Sequence, residues 1–419
     1  MSRFDFAEYF RNRSQRQRDL NEFRSVLKLL GDPQDTFRSV HIAGTNGKGS
    51  TSAYLASILC EAGIHTGLYT SPALVHISER ICIDGEPVPD HLIAEQAERV
   101  SEAEKLSGYE LVGFDRMTAT ALCIFEQCGV EYAVLEAGLG GRLDATNAVE
   151  AELAMITSIS RDHTQVLGNS YEQIAAEKCG IIKPHQTVVV HPQRPEAMDV
   201  IEEFCEEQNA RMVCVSDCGI QPVSRSPYGQ CFDLYTEEGC YSLHTCMLGE
   251  HQLENASAAV LAARELGIDN NAILRGIDTM SWPGRMEYFD WDPDILIDGA
   301  HNPQGMRVLV KGIEDFFPQR HVVAIVGIMR DKDYETMLKR LVPRVDHLIA
   351  VAVNERSLRP EEIVFEAERF GVASTHIADT VGHAYEAALR YCIENYEDQP
   401  LIVVAGSLYL AGALRELLV

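Results

Sequence analysis

The run HIAGTNGKGSTSA, from His41 to Ala53, limits what this chain can fold into more than any other stretch. Val40 and Ile42 end an apolar strand, Gly44-Thr45-Asn46-Gly47-Lys48-Gly49 make a tight turn, and a helix is expected from Ser50. A glycine-rich turn between a strand and a helix aims several backbone N–H groups into one concavity. The positive end of the helix dipole lies there too, which suits phosphate oxygens. Lys48 adds a full positive charge, and Ser50 offers a hydroxyl to a magnesium ion beside the phosphates. The turn is shorter than the standard phosphate-binding loop, and Gly49 separates Lys48 from the hydroxyl residue.

Around this turn the sequence alternates between strand and helix patterns. After a helix expected over 8–30, strands are expected at 39–42, 66–69, 132–135, 153–157 and 187–190. Helices are expected at 50–62, 89–106, 116–128 and 171–179. That alternation predicts a mostly parallel sheet covered by helices, with ligands at its carboxyl edge. Residues 211–247 change to short strands and turns, read as a small antiparallel sheet attached to the first domain, followed by helices at 254–266 and 272–278. Ser281-Trp282-Pro283-Gly284-Arg285 reads as a linker, after which the alternation begins afresh. The expected fold class is α/β: a P-loop-type parallel-sheet domain with a small antiparallel sheet (1–281), a hinge (282–287), and a Rossmann-like domain (288–419).

Several polar groups fall at expected strand ends. Glu136 closes the strand at 132–135 ahead of AGLGGRLDATN, where a magnesium ligand is expected, and Ser160-Arg161-Asp162-His163 follow the strand at 153–157. The net charge of −27 argues against a nucleic-acid partner, and no apolar run reaches membrane-spanning length. The polar N-terminus lacks a signal-peptide core, so a cytoplasmic location is expected. Cys214, Cys218, Cys231, Cys240 and Cys246 cluster in sequence with His244. Zinc would need a second tight cysteine pair, so free thiols in a reducing compartment are the preferred reading.

HIAGTNGKGSTSA, YTSPALVHISERI, VLEAGLGGRLDATN, SRDHTQVLG, EKCGIIKP, WPGR, DGAHNP and GSLYL occur in this order along the chain. In that order they resemble the folylpolyglutamate synthases and bifunctional dihydrofolate synthases, relatives of the Mur peptide ligases, from about Gly31 to the C-terminus. The resemblance implies ATP-dependent joining of L-glutamate to a folate, and to dihydropteroate, through an acyl phosphate, by an expected monomer. It implies an ATP-binding first domain and a glutamate-ligase second domain that close on ATP. By the same resemblance Lys48 touches the β- and γ-phosphates, with Thr45, Asn46, Gly47 and Gly49 around them. Ser50 and Glu136 hold a first magnesium ion, and His163 helps hold a second near the acceptor carboxylate. Lys178 matches a lysine that relatives carry N-carboxylated in support of that second metal, and a monovalent cation is a further cofactor the family allows.

Asn255 corresponds to an adenine contact, Arg285 to a phosphate contact, and Asp298 to a ribose or adenine contact. His301 falls between nucleotide and incoming glutamate, and Ser407 at a glutamate contact. Ser71, Pro72, Arg80 and Asp115 fall on the folate side. Two departures lie there as well: Ala73 replaces the usual histidine after Ser-Pro, and Asp115 replaces a common glutamate. A Mur-like ligase acting on another carboxylate and a nucleotide-gated binding protein are the competing readings. The loop at Thr70–Arg80 weighs against the first, and a second-metal set weighs against the other.

Overall fold

The computed structural model describes residues 4–10, 20–396 and 400–419. Where one helix was expected over 8–30, it has Phe6–Tyr9 and Leu20–Leu29, and residues 11–19 lie outside the described residues. Strands β1 (Arg38–Ala43), β2 (Thr66–Tyr69), β3 (Ile81–Ile83), β4 (Glu86–Pro87), β5 (Tyr132–Glu136), β6 (Leu153–Ile156), β7 (Thr187–Val190) and β8 (Arg211–Cys214) form one sheet, ordered β4-β3-β2-β5-β1-β6-β7-β8. β2, β5, β1, β6, β7 and β8 run parallel, while β3 and β4 pair antiparallel at one edge. β5 and β6 are buried along their whole length, and β1 along all but its first residue. Their near-continuous apolar runs are what a strand covered on both faces requires.

β1 is the centre of this arrangement. Ile42 pairs with Glu136 on one side and with Met155 on the other, so Gly44, Glu136 and Thr157 emerge at the same edge. The chain leaves β1 toward β2 on one side and reaches β6 on the other, a reversal that opens a crevice at the carboxyl ends of the strands. The helix after β1 spans Lys48–Glu61 and starts two residues before the expected Ser50. Gly47, with φ of 86°, makes the left-handed cap that brings the helix start forward. A second helix, Asn270–Thr279, lies so close against it that a Cβ on Gly276 would stand 2.4 Å from Ile58 Cα. The Ser57 hydroxyl donates to the Gly276 carbonyl at 2.8 Å across that contact.

β9 (Gly219–Ser226), β10 (Gly229–Thr236) and β11 (Gly239–Thr245) make a three-stranded meander. β12 (Glu287–Phe289), β13 (Asp294–Ile297), β14 (Val322–Val326), β15 (His347–Val351), β16 (Ser374–Ala378) and β17 (Leu401–Ala405) form the last sheet, ordered β12-β13-β17-β14-β15-β16. It is parallel except for β12, which pairs antiparallel with β13. The chain divides into two compact units: Met1–Gln221, Asp233–Leu243 and Leu253–Met280 in one, Pro222–Phe232, His244–Gln252 and Ser281–Val419 in the other. The antiparallel insert, expected whole on the first domain, is divided between these two units, and side-chain partners give the reason. Gln230 donates to the Met247 and Gly249 carbonyls, Tyr228 bonds Asp290 at 2.6 Å, Arg225 pairs with Asp315 at 3.1 Å, and Leu248 joins Met286 in the second core.

Because Gly276 sits where two helix backbones touch, Gly276→Ala overpacks a contact that cannot yield. We expect a loss of about 2 kcal/mol in urea unfolding, against the small gain an unhindered helical Gly→Ala gives. An unchanged midpoint would contradict the packing.

Candidate active site

The turn after β1 is held from several sides. The Thr45 and Asn46 N–H groups donate to the Ser158 carbonyl at 2.9 and 3.3 Å. The Thr45 hydroxyl donates to the Ser160 carbonyl and accepts from the Ser160 N–H, each at 3.1 Å, and the Asn46 amide reaches the Ser160 hydroxyl at 3.2 Å. A Cβ on Gly44 would stand 1.7 Å from Thr157 Oγ1, and one on Gly47 would stand 2.5 Å from Asn255 Oδ1, so a side chain at either position must displace its neighbour. Asn255 lies within the helix Glu250–Glu265, which starts four residues earlier than expected. Its amide oxygen accepts from the Thr51 hydroxyl at 3.4 Å. Ser50 is buried in the first turn of the helix that Gly47 caps.

Two lysines and a carboxylate converge on this turn. Lys48 Nζ stands 3.7 Å from Glu136 Oε1, and the other Glu136 oxygen accepts the Ser71 N–H at 3.0 Å. The buried Lys178 Nζ donates to the Gly44 carbonyl at 2.6 Å. Burial pushes its ammonium down to about 7, and the Lys48 charge adds to that, against Asp162 and Asp144. Lys178 is thus a buried amine with a substantial neutral fraction near pH 7, a different species from an ordinary surface lysine. His163 is half exposed, in a left-handed conformation (φ 50°), with its N–H on Asp162 Oδ1 at 2.8 Å. Among the described residues no three His, Cys, Asp or Glu side chains form a metal cage, there or around the five clustered cysteines, and all twelve cysteines are free thiols.

Other groups that shape the site were not singled out in the sequence. Asp144 caps its own loop through the Thr146 N–H and hydroxyl and accepts the Leu139 N–H at 3.0 Å. Thr146 in turn meets His41, which burial pushes down to about 4 and so keeps neutral. Glu79 accepts N–H groups from Leu74, Val75 and His76 at 2.7–3.2 Å, folding the loop that begins at the cis Ser71–Pro72 bond and ends at Arg80. The Asp-Ala-Thr spacing of a side-chain cap was the signal available for Asp144. Asp115 is buried within the helix Gly113–Cys128, which starts three residues before the expected Arg116.

The second unit gathers the remaining candidates. Asp298, at the end of β13, accepts the Met286 N–H at 2.9 Å and the Ala300 N–H at 2.8 Å, and burial raises its carboxyl above the usual range against the Arg285 charge. The Gly299 N–H donates to the Gly284 carbonyl, fixing the segment that carries Arg285 beside it. His301 Nδ1 lies 2.9 Å from the Gly299 carbonyl, to which it can only donate, so in the neutral ring Nε2 is the acceptor. Ser407 is buried and caps the helix Leu408–Leu418 through the Leu410 N–H at 3.1 Å.

The Mur ligase middle domain matches residues 42–263, and the Mur ligase glutamate ligase domain matches residues 284–408. The dihydrofolate synthase/folylpolyglutamate synthase of Bacillus subtilis is 33% identical over 412 residues, covering 95% of this chain and 94% of the relative. This chain belongs to the Mur ligase family, among the folylpolyglutamate and dihydrofolate synthases. The folylpolyglutamate synthase of Lacticaseibacillus casei is 32% identical over 96% of this chain and 94% of its own. A Mycobacterium tuberculosis folylpolyglutamate synthase complexed with ADP and AMPPCP superimposes with a TM-score of 0.89 at 32% identity over 95% of both chains. Escherichia coli FolC in complex with DHPP and ADP gives 0.87 at 27% identity, over 99% of this chain and 98% of that one. In this ligase fold, as in those relatives, mixed α/β sheets lie in two domains. No helix among the described residues is long and apolar enough to cross a membrane.

Gly47→Ala places an L-residue in the left-handed region and crowds Asn255. It should cost about 2 kcal/mol of stability. Adding Asn255→Ala should return part of that loss by removing the crowding, and a double variant no more stable than the single one would contradict the contact.

Proposed function

We propose that this ligase joins the amino group of L-glutamate to the carboxylate of a folate, and of dihydropteroate, using ATP. The observation that carries the reading is the meeting of Lys48, Glu136 and Lys178 on one anion-binding turn, in a chain that matches such synthases over nearly its whole length. A carboxylate is a poor electrophile because its leaving group would be oxide. Transfer of the ATP γ-phosphoryl group to it gives an acyl phosphate, from which phosphate leaves when the amine attacks. Charge builds on the transferring group, and Lys48 with the N–H groups of Gly47 and Gly49 is set to offset it, the expected Asn46 N–H being held instead by the Ser158 carbonyl. Because Ser158 and Ser160 already fix the turn, little reorganisation is needed when that charge appears.

Magnesium fits the donors present. Glu136 and Ser50 offer only oxygen, and one carboxylate with one hydroxyl is what a cation sharing its shell with phosphates and water requires. Such an ion would neutralise phosphate charge during transfer. His163 and Lys178 are the residues we assign to a second ion. For Lys178 the amine adds carbon dioxide, forming a nitrogen–carbon bond and releasing one proton, and the product is an anion. That change turns its repulsion from Lys48 into attraction. Asn255 and Asp298 are assigned to the nucleoside, Arg285 to its phosphates, and Ser407 to the glutamate carboxylate. His301 Nε2, as acceptor, is suited to take a proton from the glutamate ammonium. Ser71, Pro72, Arg80 and Asp115 are assigned to the acceptor, and ligation by a monomer in the cytoplasm completes the reading.

Phosphate release that needs ATP, L-glutamate and either dihydropteroate or a reduced folate is the expected result. Release indifferent to glutamate would sink the assignment. Lys48→Ala should lower kcat by about a thousandfold with the unfolding curve unchanged. For Lys178 the sign follows from its lowered pKa: the reactive amine gains as pH rises through about 7. Enzyme stripped of carbon dioxide should lose activity and regain it when carbon dioxide is returned, faster at pH 8 than at pH 6 at equal dissolved carbon dioxide, and Lys178→Arg should show no such recovery. Full activity without carbon dioxide at either pH would remove the carboxylated lysine.

A further inference from the structure

Two arginines close on one tyrosine ring where β6 and β7 end. Arg161 Cζ stands 5.2 Å from the Tyr171 ring centroid, and Arg194 Cζ stands 4.8 Å from it. The three residues come from three segments, each anchored near the phosphate-type turn. Arg161 follows Ser160, whose N–H, carbonyl and hydroxyl all bond Thr45 or Asn46. Arg194 follows Gln193, whose side chain accepts the Ile159 N–H at 3.1 Å and donates to the Thr157 carbonyl at 3.0 Å. Tyr171 opens the helix that carries Lys178. The backbone is therefore fixed while both guanidinium groups are exposed and the ring is half-buried.

The nearby counter-charges are weak ones. Glu196 stands 3.6 Å from Arg194 with both side chains largely in water, and Glu172, which feels the Arg161 charge, is itself exposed. Exposed pairs of this kind exchange partners easily. Contact with the Tyr171 ring restrains both guanidinium groups while their exposure leaves N–H groups for an incoming anion. A chain with a net charge of −27 repels a polyanionic substrate at long range, so local cations must receive it.

We propose that Arg161 and Arg194, set by Tyr171, form a subsite for the glutamyl α-carboxylates of the acceptor. The proposal rests on the ligase reading above. A folate that already carries glutamate presents at least one carboxylate besides the reacting one, and each added residue brings another, whereas dihydropteroate presents none. Arg161 lies two residues before His163, close to where the acceptor carboxylate is assigned, and a planar guanidinium matches a carboxylate in bidentate fashion. The subsite distinguishes the two activities: it serves chain extension and is idle during the first glutamate addition.

Steady-state kinetics on the full chain tests this with dihydropteroate and with reduced folates carrying one or three glutamates, while L-glutamate and ATP are titrated separately. Arg161→Gln with Arg194→Gln should raise KM for the triglutamate by about tenfold, the loss of a charge-assisted contact. The effect should be smaller for the monoglutamate and least for dihydropteroate, with KM for ATP held within about twofold. Arg→Lys at both positions should recover part of the loss, since charge survives and the fork does not. Equal shifts for all three acceptors, a shift confined to L-glutamate or to ATP, or a wild-type enzyme that uses dihydropteroate alone would each overturn the subsite. A wild-type enzyme with no glutamate-dependent phosphate release on any acceptor would instead overturn the ligase reading with it.

Discussion

The turn after β1 works only because its backbone is fixed before any ligand arrives. Thr45 and Asn46 are bound to the Ser158 and Ser160 segment after β6, Gly44 is pressed against Thr157, and Gly47 against Asn255. The Lys178 Nζ donating to the Gly44 carbonyl completes the support. These contacts join the segment after β6 and two helices to the same four residues, and the parallel order β5-β1-β6 brings the strand ends together. Preorganised N–H groups stabilise developing phosphoryl charge without moving, which is where this kind of site gains most of its rate.

Glu136 links the turn after β1 to the loop that begins at Ser71. One oxygen faces Lys48, and the other holds the Ser71 N–H at the start of the segment that Glu79 folds. A single buried carboxylate thereby sets the position of groups assigned to both reactants. It also lies in the low-dielectric end of a parallel sheet, where its interactions are strong and an uncompensated charge is costly. Lys178 shows that cost: burial, with the Lys48 charge beside it, lowers its pKa, so the site disfavours that cation.

The α/β alternation and the glycine-rich turn after β1 were legible because apolar runs and glycine spacing are local signals. The edges were not. β3 and β4 are short and partly exposed, and β12 is a three-residue strand, too brief for a pattern to show. The helix Pro195–Glu207 left no separate mark in the sequence reading, and the antiparallel insert was assigned whole because its division depends on long-range partners such as Arg225 with Asp315. Lys178 reads as a solvated helix residue from sequence alone. Its burial comes from the fold, and the family resemblance was what singled it out. Asp298 and Ser407 do cap backbone N–H groups, as residues at such positions commonly do, so their geometry alone assigns no ligand.

The account turns on a carboxylate being activated as an acyl phosphate, and the fate of one oxygen atom tests that directly. With acceptor whose reacting carboxylate is labelled with oxygen-18, each phosphate released during glutamate addition should carry one labelled atom, because the carboxylate oxygen becomes the bridge that leaves with phosphorus. Unlabelled phosphate formed at the same rate as the amide product would contradict the account.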